Sequence, residues 1–180
     1  MSGELTLILG GARSGKSSYA QDLAMNISGK VIYVATAEAR DEEMKERIAV
    51  HKAERPNGWL TVEAPTKVGK ALEKTISSAD VVLLDCLTLL TSNILLSMPE
   101  NASVAEVQAA MDVEIDELLS VIEQSGAKWI IVTNEVGLGL VPAYALGRTY
   151  RDVLGRVNQR LAKAADEVLF MVAGLPMKVK

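Results

Sequence analysis

Leu5-Thr6-Leu7-Ile8-Leu9 runs directly into Gly10-Gly11-Ala12-Arg13-Ser14-Gly15-Lys16-Ser17, and the chain goes on as Ser18-Tyr19-Ala20-Gln21-Asp22-Leu23-Ala24-Met25. The first five residues read as a buried strand. The next eight satisfy the pattern G-x-x-x-x-G-K-[ST] in full, and the stretch from Ser17 to Met25 reads as a helix. In that order the glycines turn the chain, and backbone N–H groups of the turn and of the helix start converge on one point. An anion fits there. Lys16 is expected to reach the β- and γ-phosphates of a nucleotide, and the Ser17 hydroxyl to ligate Mg²⁺. The bland alternative is a glycine-rich turn with an incidental lysine, and the strand before it and helix after it argue against that.

The rest of the composition agrees with this reading. The chain has 180 residues, 49% of them hydrophobic, a net charge of −4, one cysteine and one histidine. That length predicts one domain spanning 1–180. The acidic balance argues against a nucleic-acid partner, because phosphate backbones call for a basic surface. Residues 1–4 have no basic flank, so no signal peptide is expected. The most apolar stretch, 81–96, is interrupted by Asp85 and is too short for a membrane span. Cys86 alone forms no intramolecular disulfide and suits a reducing, cytoplasmic compartment.

Short apolar runs alternate with amphipathic stretches along the chain. Strands are predicted at 5–9, 31–35, 59–62, 81–84, 129–132 and 168–172. Helices are predicted at 17–25, 41–55, 67–77, 104–124 and 144–165. The run 41–55 is acidic at its start and basic at its end, as the helix dipole favours. The segment 177–179, following Gly174-Leu175-Pro176, suggests a closing hairpin. The apolar segments 87–90 and 94–98 read as core plus a subunit interface, or as a fully buried helix. Continuous apolar strands separated by helices predict an α/β fold: a mostly parallel sheet with helices on both faces.

In such a sheet, function collects at the carboxyl ends of the strands. Besides the loop at 10–17, those ends carry Thr36, Asp85 and Thr133-Asn134-Glu135-Val136-Gly137. Asp85 follows four apolar residues, so its carboxylate can serve Mg²⁺ opposite Ser17. A strand-capping aspartate is the other reading. Asn134 and Glu135 are read equally as ligand contacts and as turn residues. Cys86 reads as packing rather than chemistry. Arg156, Asn158, Gln159 and Arg160 read at least as well as a structural network as a catalytic one. His51 stands on the 41–55 helix with Arg47, Lys52 and Arg55 nearby. Its surroundings suit phosphate, and a neutral imidazole is a competent nucleophile toward phosphorus. From composition and spacing alone a solvated surface histidine is the favoured reading, and the nucleophile is the open alternative.

A larger set of segments gives the chain a family resemblance. In order they are the loop 10–17, Tyr33-Val34-Ala35-Thr36, Asp41-Glu42-Glu43-Met44, Arg47-Ile48, His51-Lys52, Arg55-Pro56 and Trp59. Thr133-Asn134-Glu135-Val136-Gly137, Gly155-Arg156-Val157-Asn158-Gln159-Arg160-Leu161-Ala162 and Ala165-Asp166-Glu167-Val168 come after them. Together they resemble the bifunctional adenosylcobinamide kinase/adenosylcobinamide-phosphate guanylyltransferases of cobalamin biosynthesis, nearly end to end. The resemblance implies a P-loop NTPase, RecA-like, assembling as a homotrimer. It implies phosphorylation of adenosylcobinamide by ATP or GTP, then transfer of GMP from GTP through a histidine-GMP intermediate. The products are adenosylcobinamide phosphate and adenosylcobinamide-GDP. The family nucleophile falls on His51, with Lys16 as the other catalytic residue. GTP contacts fall on Gly10, Gly11, Ala12, Arg13, Ser14, Gly15, Lys16, Ser17, Ala35, Thr36 and Ala37. Further contacts fall on Lys52, Ala53, Glu54, Arg55, Glu63 and Asp85, and the metal contacts on Ser17 and Asp85. Some relatives carry a histidine pair where this chain has Val50-His51, and some carry Glu at the position of Asp85.

Rival readings predict different observables. A P-loop kinase without nucleotidyl transfer would take no covalent label from GTP. A regulatory GTPase would carry an Asn-Lys-x-Asp motif, and Thr133-Asn134-Glu135-Val136 stands where one would be sought. A scaffolding ATPase would hydrolyse without an acceptor.

Overall fold

The apolar run that opens the chain becomes β1 (Glu4–Gly10), which lies inside a sheet with β5 (Lys128–Val132) on one side and β6 (Glu167–Val172) on the other. The structure is a computed structural model that describes residues 3–39, 42–53 and 55–180; the side chains of Glu43, Arg47 and His51 lie outside that description. The remaining strands are β2 (Val31–Ala35), β3 (Leu60–Glu63), β4 (Val81–Asp85) and β7 (Leu175–Lys178). The order across the seven-stranded sheet is β3-β2-β4-β5-β1-β6-β7, with the first six parallel and β7 antiparallel to β6. The predicted α/β architecture with a C-terminal hairpin is the one observed.

Period-two alternation divides each inner strand between two cores. Leu5, Leu7, Val82, Leu84, Trp129 and Ile131 face one side, where α3 (Val68–Leu72), α4 (Leu87–Ser97), α5 (Val104–Gln124) and α6 (Ala145–Ala164) cover them. Ile8, Tyr33, Leu83, Ile130 and Val132 face the other, against Ala20 and Ala24 of α1 (Lys16–Met25). Small residues on α1 let it lie close to the sheet. Burial of side chains such as Leu87 and Leu90 contributes about 1.5–3 kcal/mol each. The helix α2 (Glu42–Ala53) contributes to neither core among the described residues.

The structure departs from the sequence expectation in two places. The helix expected over 67–77 ends at Leu72 and is succeeded by a 3₁₀ turn, Ile76–Ser78. Thr75 N–H bonds the Leu72 carbonyl and Ser78 N–H that of Thr75, while both hydroxyls return to the same two oxygens. These i→i−3 bonds tighten the chain and compete with α-helical pairing. The C-terminal turn is centred on Ala173 and Gly174, both at positive φ, so Leu175 and Pro176 belong to β7. Pro176 is tolerated because β7 is the edge strand. The apolar segment 87–98 is mainly α4, with Leu87, Leu90, Ile94 and Leu95 in the core and Leu96 exposed.

Candidate nucleotide site

The phosphate loop leaves β1 at Gly10 and enters α1 at Lys16. Gly15 adopts φ 90°, a left-handed conformation that an L side chain resists. A Cβ there would also meet the α-carbon of Gly174 at 3.1 Å. Gly174 N–H in turn donates to the Ser14 carbonyl at 3.0 Å. The β6–β7 turn therefore braces the phosphate loop from below. At Gly10 a Cβ would approach the Met171 carbonyl to 2.8 Å, so neighbouring backbone requires glycine there too. The first turn of α1 carries no acidic residue, which leaves its N-terminal N–H groups to an anion.

Lys16 is buried, and its ammonium donates to the Gly11 carbonyl at 2.5 Å. Burial lowers its pKa from the usual lysine value, an effect opposed by nearby Cys86 and Asp85. Lys16 and Ser17 open onto a cavity of about 580 Å³, a volume typical of small-ligand sites. Ala12 and Arg13 form its floor with them, and Tyr33, Ala35, Ala37, Asp85, Cys86, Val132 and Asn134 come from the strand tips. Thr88 and Leu89 of α4, Met44 and Ile48 of α2, and Arg55 complete the wall.

One wall is built around Tyr33. Its hydroxyl donates to Asp85 Oδ2 at 2.9 Å, and the Arg55 guanidinium lies 4.0 Å from the centre of its ring. Trp59 stacks on the same ring at 6.3 Å between centroids. Burial, reinforced by the Asp85 charge, raises the Tyr33 pKa well above the usual phenol value. Arg55 also donates to Thr61 Oγ1 at 3.3 Å, while its buried Nε has no hydrogen-bond partner among the described residues. A guanidinium that lines the cavity is a donor fitted to phosphate.

Buried amides and hydroxyls hold the strand tips in register. Thr36 Oγ1 donates to the Cys86 carbonyl at 2.7 Å and accepts from Cys86 N–H at 2.9 Å. Asn93 Nδ2 donates to the carbonyls of Thr36 and Pro65. Thr133 Oγ1 donates to Asn158 Oδ1, Asn158 Nδ2 to the Asn134 carbonyl, and Asn134 N–H to Thr88 Oγ1. Asn158 is thus structural, and so is Arg160, which pairs with Asp112 and Asp116. The Glu135 carboxylate accepts from the N–H groups of Gly137 and Leu138, which is turn chemistry. Burial pushes the Cys86 thiol up to about 11, so it stays protonated at neutral pH.

The structure brings Ala12, Arg13, Lys16, Ser17, Ala35, Ala37, Arg55 and Asp85 into one cavity. Gly10, Gly11, Ser14 and Gly15 shape the loop behind it, and Thr36 is a fully buried brace. Lys52 and Glu63 form an exposed ion pair at 2.5 Å, away from the lining, and Ala53 is exposed. Glu54 lies outside the described residues, as does the His51 side chain; the His51 backbone belongs to α2. Sequence reasoning does not single out Tyr33, Thr88 or Asn93. Asn93 is detectable as an amide within an apolar run, whereas Tyr33 looks like any strand aromatic.

The donor set fits Mg²⁺ carried by a nucleotide. Among the described residues, no three His, Cys, Asp or Glu side chains cluster to hold a metal by themselves. Mg²⁺ normally takes one or two protein oxygens and completes its shell with phosphate and water. Ser17 and Asp85 both line the cavity and supply that number.

The chain also matches proteins already known. A family model described as "Cobinamide kinase / cobinamide phosphate guanyltransferase" matches residues 6–179. The chain is 41% identical over 181 residues to the Salmonella typhimurium protein named bifunctional adenosylcobalamin biosynthesis protein CobU, covering 98% of this chain and 99% of that one. It is 40% identical to the Escherichia coli protein of the same name, over the same shares of the two chains. A Pseudomonas aeruginosa relative named CobP is 42% identical over 174 residues, 97% of this chain and 96% of the relative.

Proposed function

The chain belongs to the cobinamide kinase / cobinamide phosphate guanyltransferase family, and we propose that the cavity between its phosphate loop and α2 serves both reactions. In the kinase step a nucleoside triphosphate gives its γ-phosphoryl group to the aminopropanol hydroxyl of adenosylcobinamide. The new bond is oxygen to phosphorus, the bond from the γ-phosphorus to its bridging oxygen breaks, and the diphosphate leaves. Lys16 and the loop N–H groups hold the β- and γ-phosphates, and positioning with charge neutralisation accounts for most of the catalysis. Ser17 and Asp85 would hold Mg²⁺ brought by the nucleotide, which would supply further charge neutralisation.

In the second step a ring nitrogen of His51 attacks the α-phosphorus of GTP and pyrophosphate leaves. A phosphate oxygen of adenosylcobinamide phosphate then attacks the same phosphorus, the nitrogen–phosphorus bond breaks, and adenosylcobinamide-GDP is released. Arg55, which lines the cavity, offers its guanidinium to the phosphates on the α2 side. Helical periodicity supports the choice of nucleophile: position 51 comes three residues after the cavity-lining Ile48 and seven after Met44.

The observation that carries this reading is the convergence of Lys16, Ser17, Asp85 and Arg55 on one cavity. Purified protein, Mg²⁺ and adenosylcobinamide, incubated with ATP or with GTP, test it by mass spectrometry of the corrinoids. Adenosylcobinamide phosphate is expected with at least one of the two nucleotides, and the GDP product only where GTP is present. Phosphate without any GDP product under GTP would reduce the protein to a kinase, and neither product would overturn the reading.

A further inference from the structure

The corrinoid substrate of the proposed reaction is a broad macrocycle with apolar faces and a rim of carboxamides, of which only the aminopropanol arm reacts. A cavity of about 580 Å³ receives phosphates and that arm, and the ring has to rest on the surface beside its mouth. The segment that leaves β5 next to the cavity has the right chemistry. Leu138 is 82% exposed and Leu140 97%, and Val141, Tyr144 and Leu146 are exposed with them. Five large apolar side chains within nine residues, turned to solvent, are more than a surface normally shows without a partner.

The segment is held in that orientation. Glu135 accepts from the N–H groups of Gly137 and Leu138, and Arg148 donates to the carbonyls of Pro142 and Ala143 at 3.1 and 2.7 Å. The Leu138 N–H and the carbonyls of Pro142 and Ala143 are thereby paired by side chains of the same stretch, while the apolar groups are exposed. It is also tied to the nucleotide site. Asn134 lines the cavity, Glu135 N–H donates to the Gly10 carbonyl at 3.0 Å, and Tyr150 O–H donates to the carbonyl of cavity-lining Thr88. Leu140 is six residues beyond Asn134, within roughly 20 Å even for extended chain. Beside the segment, Gly137 and the α6 residues Arg151, Asp152, Arg156 and Gln159 line an open groove of about 440 Å³. Its donors and acceptors match a carboxamide rim.

We propose that the apolar segment 138–146 and the adjoining α6 groove form the docking platform for the corrin ring. The proposal rests on the family reading above and adds the site that this reading leaves unassigned. Leu138→Ser/Leu140→Ser and, separately, Arg156→Ala test it in the kinase assay. Each is expected to raise the KM for adenosylcobinamide, at least tenfold for the double variant, with the nucleotide KM, kcat and melting temperature little changed. Sedimentation of each variant should match that of the original protein. An unchanged corrinoid KM overturns the platform. A smaller assembly in the double variant also overturns it, because the segment is then a contact between copies of the chain. An original protein that phosphorylates no corrinoid overturns the family reading instead, and is recognised before any variant is made.

Discussion

The hydroxyl of Tyr33 on β2 donates a 2.9 Å hydrogen bond to Oδ2 of Asp85 at the tip of β4. Ala35 pairs with Asp85 in the parallel ladder, so Tyr33 reaches the carboxylate from two residues back on the same face. The bond fixes one carboxylate oxygen and leaves the other to the cavity. Tyr33 remains a donor throughout the working pH range, since burial first and the Asp85 charge second raise its pKa. Arg55 lies on the ring of the same tyrosine, just beyond the end of α2. The ring thus links the chain beyond α2 to the carboxylate expected to serve Mg²⁺.

Tyr33→Phe is expected to separate orientation from folding. The ring, its Trp59 stack and the Arg55 contact remain, so the loss of stability should be about 1 kcal/mol, that of one hydrogen bond. Freed of its donor, Asp85 should need several-fold more Mg²⁺ for half-maximal turnover. Mg²⁺ titrations of both proteins, with melting curves alongside, check this. Identical titrations would show that Tyr33 only packs.

The strand tips explain what is legible in the sequence. The loop at 10–17 is readable because its shape resides in contiguous backbone, so spacing and position coincide. The place of Asp85 beside the cavity is readable because four apolar residues put it at a strand tip. Tyr33 and Asn93 are not, because their roles arise from pairing across 52 and 57 positions. The chain between α3 and β4 departs from apolar spacing because threonine and serine hydroxyls draw it into a tighter turn. The brace from Gly174 to Ser14 is equally invisible, as it joins the two ends of the chain.

Lys16→Ala is expected to depress both reactions by about a hundredfold or more, the scale of losing a preorganised charge at reacting phosphates. The lysine belongs to neither hydrophobic core, and its one short hydrogen bond is to the Gly11 carbonyl within the loop itself. Folding should therefore survive. Kinase and guanylyl-transfer rates, measured separately, check the claim. Retention of either near its original value would contradict a shared phosphate site.

Gly174→Val acts on the same loop from outside. Position 174 has φ 83°, where a β-branched residue costs about 1–2 kcal/mol or more. Its N–H also supports the Ser14 carbonyl, and its α-carbon packs against Gly15. A lower melting temperature together with a several-fold weaker nucleotide Kd is expected. A Kd unchanged in a protein that still folds would show that the hairpin does not position the phosphate loop.

The two activities should come apart at His51. It is the chain's sole histidine, and its backbone lies on the helix whose Met44 and Ile48 line the cavity. Protein incubated with GTP and Mg²⁺ but no corrinoid should gain the mass of one GMP unit. A phosphoramidate to imidazole should be lost in acid and persist in base, unlike an ester to serine. His51→Ala should abolish both this adduct and guanylyl transfer, because no other imidazole exists in the chain to replace it. Phosphorylation of adenosylcobinamide should continue, since that step moves the γ-phosphoryl group directly to the acceptor hydroxyl. Some loss of kinase rate is compatible with the mechanism, because Arg55 and Met44 border the same cavity and shift with α2. A His51→Ala protein that still carries GMP, or still makes adenosylcobinamide-GDP at the original rate, would exclude a histidine intermediate.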